Sequence, residues 1–350
     1  MRNISRLLRW LNVILIFATF LAYLAPQISP VRFWPLAFFG LMYPLLLLLN
    51  IAFVIFWSLQ KKYYLLFSLS CIILGWGHFR SIIGLSANSK SSPQGISIVS
   101  FNAHGAEKFR TKLEFAPPES LLDIFGDTPP QILCFQEFPV RRVPQEAYFN
   151  YLQQKGYIHH NWKPKQELSL FSIFPILRTK LKQFNRSNGY MYADLNIRGK
   201  TFRVFNIHLQ SNAVSYLASK VAADGDLQEE ETWREVRGMM GRFKRAVQKR
   251  ALQAEEVAAV IAESPYPVIV CGDFNDIPQS YAYHTIAKGL QDSFQRRGAG
   301  LGFTYVGDIP GLRIDYLLSS PDFEFLRFQK RRTSFSDHVA VAAELVFLTN

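Results

Sequence analysis

The sequence predicts an α/β domain in which strands outnumber helices, set behind an apolar N-terminal third. Three observations lead there. Residues 1–95 contain no Asp or Glu and are dominated by long uncharged stretches. From residue 96 onward, short apolar runs bounded by turn residues alternate with longer amphipathic patterns, as strands and helices do. A polar segment, SANSKSSPQG (86–95), separates the two textures and reads as a linker. The expected organisation is 1–85, a membrane anchor; 86–95, a linker; and 96–350, one domain large enough to bury a substantial core.

The anchor is read from its charges. Three stretches, 10–31, 33–60 and 63–79, hold no Asp, Glu, Lys or Arg, and about 20 apolar residues suffice to cross a bilayer as a helix. The first two clear that length, and the third, YYLLFSLSCIILGWGHF, is marginal. Trp10, Trp34, Trp57 and Trp76 fall near the stretch ends, where interfacial aromatics collect. This predicts about three transmembrane helices, with two spans and a buried hairpin as the alternative. A cleaved signal peptide is disfavoured, because no convincing small-residue cleavage site follows the first stretch and two more apolar segments come after it. Arg2, Arg6, Arg9, Lys61 and Lys62 on one side outnumber Arg32, Arg80 and Lys90 on the other. By the positive-inside rule the N-terminus is cytoplasmic and everything after residue 80 is extracytoplasmic. The chain is then an integral protein of a bacterial-type inner membrane or a plasma membrane, with the lipid bilayer as its partner and no protein partner expected.

The net charge of +12 is mostly a property of this segment: residues 1–95 carry eight basic side chains and no acidic one, which leaves +4 for the other 255 residues. Basicity therefore says little about substrate. Cys134 and Cys271 lie in apolar strand-like runs and Cys71 in the third stretch. Small buried thiols are the simpler reading, with pairing of two of them open in an exported domain.

Beyond the linker, ISIVSFN (96–102), QILCFQEF (131–138), ELSLFSIFPI (167–176), YMYADLNI (190–197), FRVFNIHLQ (202–210), YPVIVCGDFN (266–275) and RIDYLLSS (313–320) read as strands. A helix is expected over 232–262, where Trp233, Val236, Met240, Phe243, Val247, Leu252 and Val257 recur at helical spacing. No internal repeat is visible.

The strand ends carry the chemistry. Asn102 and His104, Gln136 and Glu137, Asn206 and His208, Asp273 and Asn275, Asp315, and Asp337 with His338 close six separate runs. Singly, a residue such as Asp123, His159, His160 or His284 has a bland explanation in a core hydrogen bond or a turn cap. Six together are harder to dismiss, since each unpaired buried carboxylate costs several kcal/mol. Convergence on one edge, around a divalent metal and a phosphate, removes that cost.

The ordered set SFN, QE, NIHL, GDFN, RIDY and SDH, from Ile96 to Val346, resembles the endonuclease/exonuclease/phosphatase superfamily. These metal-dependent phosphodiesterases include deoxyribonucleases, abasic-site endonucleases and neutral sphingomyelinases. The resemblance implies a four-layer αββα sandwich with two mostly antiparallel sheets. It also implies a divalent ion, Mg²⁺ with Mn²⁺ able to replace it, held by Glu137 as principal ligand with Asn102 and Asp337. Asp273 would orient or deprotonate the attacking water, Asn275 would bind the scissile phosphate, and Asp315 would orient His338. His208 would contact the phosphate or protonate the leaving oxygen. Whether His338 is base or charge stabiliser stays open. The chain lacks the glycine and lysine of a run common in relatives, ELSLFSIFPI standing in its place. The carboxylate partner that relatives give this histidine has no motif counterpart, Glu167 being the nearest candidate for His208. Asn188 is either a family amide or a turn residue.

The function expected is a membrane-tethered phosphodiesterase or phosphohydrolase acting on an extracytoplasmic nucleic acid or phospholipid headgroup; the alternative is an inactive binding module of the same fold. Arg141 with Arg142, Arg296 with Arg297, and Lys330 to Arg332 are short basic runs that usually mark a solvated surface. The basic residues of the long helix fit a scaffold or a membrane-facing stripe.

Overall fold

A computed structural model describes residues 2–104, 115–126, 128–138, 145–164, 166–185, 187–211, 230–307 and 311–348. Arg141 and Arg142 lie outside the described residues.

The N-terminal unit is helical. Helix α1 (Arg2–Leu24) runs into a 3-10 turn (Ala25–Gln27) and two short helices, α2 (Pro30–Phe33) and α3 (Pro35–Leu41), followed by α4 (Tyr43–Leu59), α5 (Leu65–Leu74) and α6 (Trp76–Ile82). Among the described residues one helix, spanning Arg6–Gln27, is long and apolar enough to cross a membrane; the pairs α3/α4 and α5/α6 reach that length only as bent units, at 57° and 79°. Pro44 stands in the first turn of α4, a position without an intrahelical donor to lose. Gly75 lies between α5 and α6, where a Cβ would meet the Tyr23 hydroxyl 2.0 Å away. The helices are joined by buried amide and hydroxyl groups: Asn12 Nδ2 donates to Ser68 Oγ at 2.7 Å and Asn50 Nδ2 to Thr19 Oγ1 at 2.9 Å.

The domain beyond holds two six-stranded sheets. After β1 (Ile83–Leu85) come β2 (Ile96–Asn102), α7 (Ser120–Asp123), β3 (Ile132–Gln136), α8 (Gln145–Gln154), β4 (His159–His160), β5 (Ser169–Ser172), β6 (Ile176–Gln183), β7 (Gly189–Ile197) and β8 (Lys200–His208). Then follow α9 (Glu230–Ala262), β9 (Val268–Asp273), α10 (Tyr281–Ala287), β10 (Gln291–Asp292), α11 (Ser293–Arg297), β11 (Ala299–Leu301), β12 (Asp315–Ser319), β13 (Phe323–Arg332) and β14 (Val339–Phe347). One sheet has the order β10-β12-β9-β8-β7-β6 and the other β13-β14-β2-β3-β5-β4. Among the described residues only β8/β9 and β2/β3 are parallel. The sheets are mostly antiparallel, as expected.

Period-two alternation sorts the strand residues into layers. Ile98, Cys134, Met191, Val204, Ile269 and Cys271 fill the space between the sheets. Val99, Leu133 and Phe135 face α7 and α8 through Leu121, Tyr148 and Leu152, while Phe205, Val268 and Val270 face α9 and α10 through Ala254, Val257 and Ile286. The result is an αββα sandwich. All three cysteines are buried and unpaired.

Two strand readings need correction. ELSLFSIFPI is not one strand: β5 ends at Ser172, whose Oγ accepts from Phe174 N at 2.9 Å, and after Pro175 the chain enters the other sheet as β6. The long strands β13 and β14 were not among the expected strands. Strand β13 (FEFLRFQKRR) is a sheet edge, and edge strands carry charge that hides the apolar alternation.

The helical unit is interlocked with the sandwich. β1 pairs with β11, Arg80 Nη2 donates to Gln295 O at 2.8 Å, and Gln279 Nε2 donates to Ser81 Oγ at 2.8 Å. Segment 86–95 lies along β13 and β14, with Ser89 N bonded to Leu326 O (2.7 Å) and Ser92 N to Glu344 Oε1 (2.9 Å).

Candidate active site

The strand ends named from the sequence meet at one edge of the sandwich, in a cleft of about 700 Å³. Register places them. His208, the last residue of β8, stands beside Asp273, the last of β9, and Asp315, the first of β12, stands opposite Asp273. Asn102 closes β2 in the facing sheet.

Asp273 Oδ2 is the meeting point. Asn102 Nδ2 donates to it at 3.0 Å and Asn275 Nδ2 at 3.2 Å, with His208 Nε2 at 3.6 Å and His338 Nε2 at 3.8 Å. The other Asp273 oxygen accepts from Asn275 N at 2.8 Å. Both sheets thus contribute groups to a carboxylate that is 1% exposed.

Backbone shape helps aim these side chains. Glu137, His104 and Asn275 have φ of +48°, +47° and +53°, a left-handed conformation that costs a non-glycine residue about 1–3 kcal/mol. Gly272, immediately before Asp273, has φ +151°, and a Cβ there would lie 2.1 Å from Ile207 O. Only glycine lets β9 approach β8 this closely.

His338 Nδ1 lies 3.1 Å from both oxygens of Asp315. Burial alone would lower the His338 pKa, but Asp315 and then Asp273 outweigh it and hold the imidazole well above its ordinary value. Asp315 is itself raised, chiefly by burial, against the lowering effect of His338. Its backbone N donates to Thr304 Oγ1 at 3.1 Å. Ser336 links the two sheets' contributions: its Oγ donates to Asn102 O at 2.7 Å and accepts from His338 N at 3.0 Å.

Glu137, about a third exposed, has His208 Nε2 at 3.8 Å and His104 Nδ1 at 3.9 Å. Burial pushes its pKa up, but His208, then His104 and His338, with a hydrogen bond from Asn102, more than offset that, and the carboxyl is lowered. Asp337 Oδ1 is buried without a hydrogen-bond partner among the described residues, with His104 Nδ1 3.4 Å away. Glu137, Asp337 and the Asn102 amide oxygen form an oxygen-rich set of the kind hard cations take, and the orphaned Asp337 oxygen fits such a ligand. A second group, Asp273, Asp315 and His338, is close enough to hold an ion. Its His338 Nδ1 is already engaged by Asp315, which favours a hydrogen-bonded relay there.

The remaining strand-end groups do other work. Asn206 donates to Phe135 O and Ser169 O, both at 2.9 Å, and accepts from Gln136 Nε2 at 2.6 Å, tying sheet to sheet. His208 Nδ1 is buried with no hydrogen-bond partner among the described residues, so Glu167 does not supply one. An unpaired lone pair there costs less than an unpaired N–H, which assigns the proton to Nε2, toward the cleft. Asn188 lines the cleft, but its amide donates to Leu209 O at 2.8 Å. Both donors of the Asn275 amide are directed at Leu209 O and Asp273, so binding a phosphate through it requires exchanging one. Asp276, in the loop after β9, accepts from Arg250 Nε at 2.8 Å.

Sequence reasoning did not assign Tyr305, whose ring stands edge-on to His338 at 5.2 Å, or Leu41 of the helical unit; both line the cleft. Tyr305 follows a segment without periodicity, and nothing in an apolar helix marks Leu41 as reaching this site. His104, to which the resemblance assigns no role, lines the same cleft.

A profile of the endonuclease/exonuclease/phosphatase family matches residues 99–338, and the chain belongs to that family. Its members are phosphodiester-hydrolysing enzymes, nucleases among them, and generally use a divalent metal. A domain of unknown function matches residues 5–82. Among solved structures, an endonuclease/exonuclease/phosphatase from Beutenbergia cavernae DSM 12333 is similar at 13% identity and TM-score 0.50, over 73% of this chain and 72% of that one. The human Nocturnin catalytic domain with bound sulfate anion is similar at 17% identity and TM-score 0.51, over 74% and 97%. At these identities the likeness concerns the fold. No curated protein matches.

Proposed function

We propose that this chain is a divalent-metal-dependent phosphoester hydrolase, held in a membrane by its N-terminal helices and acting on an extracytoplasmic nucleic acid or phospholipid headgroup. The observation that carries this reading is the convergence of Asn102, His208, Asn275 and His338 on one oxygen of Asp273. Such a group can hold a water molecule and take its proton. Glu137, Asp337 and Asn102 would hold Mg²⁺ or Mn²⁺, which when bound would offset charge on the phosphoryl oxygens. Asp315 fixes the His338 ring and keeps the proton on the imidazole, suiting it to stabilise a developing anion. His208, with its proton on Nε2, faces the same space and is placed to donate toward a leaving oxygen.

The bundle's charge supports the sidedness. Arg9 bonds the Tyr64 hydroxyl at 3.0 Å, which puts it near Lys61 and Lys62 at the end away from Ser81 and Leu41, the end that meets the sandwich.

The test is hydrolysis by the full-length protein in lipid nanodiscs with Mg²⁺, offered plasmid DNA, RNA, phospholipids and small phosphoesters side by side, with His338→Gln as control. We expect turnover of at least one class, lost in the variant. Turnover of none would return the chain to the inactive binding-module reading.

A further inference from the structure

The long helix α9 holds a charge pattern that catalysis does not use. Over residues 230–250 it carries seven Lys or Arg and three Glu, two of them at its first two positions, whereas 251–262 carry two Glu and no base. Arg250 is buried against Asp276. Arg237, Arg242, Lys244, Arg245 and Lys249 are exposed, and none has an ion-pair partner among the described residues. A helix that only supported the fold would not need five unpaired cations within four turns, where their mutual repulsion opposes helix formation.

The position of this basic half identifies what it meets. Its opposite face packs on the helical unit: Phe243 and Val247 contact Trp34, Ala37 and Leu41, with Trp34 and Phe38 edge-on to Phe243 at 6.5 and 6.2 Å. Gln248 Nε2 donates to Pro30 O at 3.3 Å. Segment 28–34 joins Arg6–Gln27 to the bent pair that begins at Pro35, so on the membrane reading α9 is clamped beside the point where the bundle leaves the bilayer. Trp233, Arg237, Lys244 and Gln248 share one edge of the helix by their spacing, and Gln248 fixes that edge toward the bundle. Trp233 on it is 49% exposed, as an interfacial tryptophan is.

We propose that the N-terminal half of α9 binds the anionic headgroups of the bilayer in which the chain is anchored, and so holds the cleft, bordered by Leu41, against the lipid surface. The inference rests on the membrane reading above, not on the hydrolytic one. Complementary charge commits it to acidic phospholipid; a nucleic acid strand is the competing occupant and enters as an arm of the test.

The experiment uses the full chain in detergent micelles, with an environment-sensitive fluorophore on Gly238→Cys. That position lies beside the cations and is open, the nearest foreign atom being Arg242 Nη2 at 3.8 Å; the native thiols are buried. Micelles are titrated with phosphatidylglycerol, phosphatidylcholine or a DNA oligonucleotide. We expect a saturable response to phosphatidylglycerol and little to phosphatidylcholine. Each basic residue near an anionic surface contributes roughly fivefold to binding, so Arg237→Gln/Lys244→Gln/Arg245→Gln should move the midpoint up on the order of a hundredfold. These side chains are exposed, so an unchanged melting midpoint certifies the variant's fold. Equal responses to both lipids, an unmoved midpoint in the variant, or a stronger response to DNA would each overturn the inference. Alkaline carbonate extraction of the chain from membranes would instead overturn the membrane reading beneath it, and loss of hydrolytic activity bears on neither.

Discussion

Asp292→Asn is expected to destabilise the protein more than any surface change, through the guanidinium it leaves behind. Arg313 is 1% exposed, and its Nη2 reaches the two Asp292 oxygens at 2.5 and 2.7 Å. It lies over the rings of Phe294 and Tyr316, 4.6 and 4.8 Å from their centroids, and donates to Ser81 O at 3.2 Å. The amide keeps the shape of the carboxylate and can still accept from Phe294 N, the cap of α11, but it replaces the oxygen that accepts from Tyr283 Oη and Arg313 Nη2 with a donor, so charge and hydrogen bonds are lost together. Breaking a buried pair costs about 3–5 kcal/mol, a large part of a net stability of about 5–15 kcal/mol. Adding Arg313→Met removes the stranded charge while filling its volume, and most of the loss should return. Guanidinium unfolding of the full chain in detergent, followed by near-UV circular dichroism, measures both variants. An Asp292→Asn protein within about 0.5 kcal/mol of the parent, or a double variant no better than the single, would refute the reasoning.

Gly272→Ala should cost on the order of 3 kcal/mol, because its Cβ would meet Ile207 O, and it should lower activity as well by pushing β9 from β8; thermal melting and turnover check the two effects. Asp315→Asn should reduce turnover on the order of 10²-fold. It should also move the His338 limb of the pH–rate profile to lower pH, since the carboxylate that raises the imidazole pKa is gone; a profile of unchanged shape would remove Asp315 from its positioning role.

The sandwich was legible because its core strands are apolar and end abruptly. ISIVSFN maps onto β2 without a residue's error, and VIVCGD is β9. Asp273 and Asn275 could be placed at an edge because they close the apolar run VIVC. Edge strands were less legible: β6 and β13 are laced with Lys and Arg, which reads as loop until a neighbour's register is known. Contacts of large sequence separation were not legible at all. No local pattern says that Ser81 meets Arg313, that Asn206 ties sheet to sheet, or that Leu41 borders the cleft. Each depends on how elements dock, and docking is decided by packing rather than by periodicity.

The most direct test of the metal-dependent hydrolase reading is phosphoester turnover by the full-length protein across a Mg²⁺ titration, beginning in EDTA, for the parent and Glu137→Gln. We predict no turnover in EDTA, recovery as Mg²⁺ is added, and little recovery at any Mg²⁺ concentration in the variant. Turnover that persists in EDTA, or a Glu137→Gln protein that matches the parent, would contradict it.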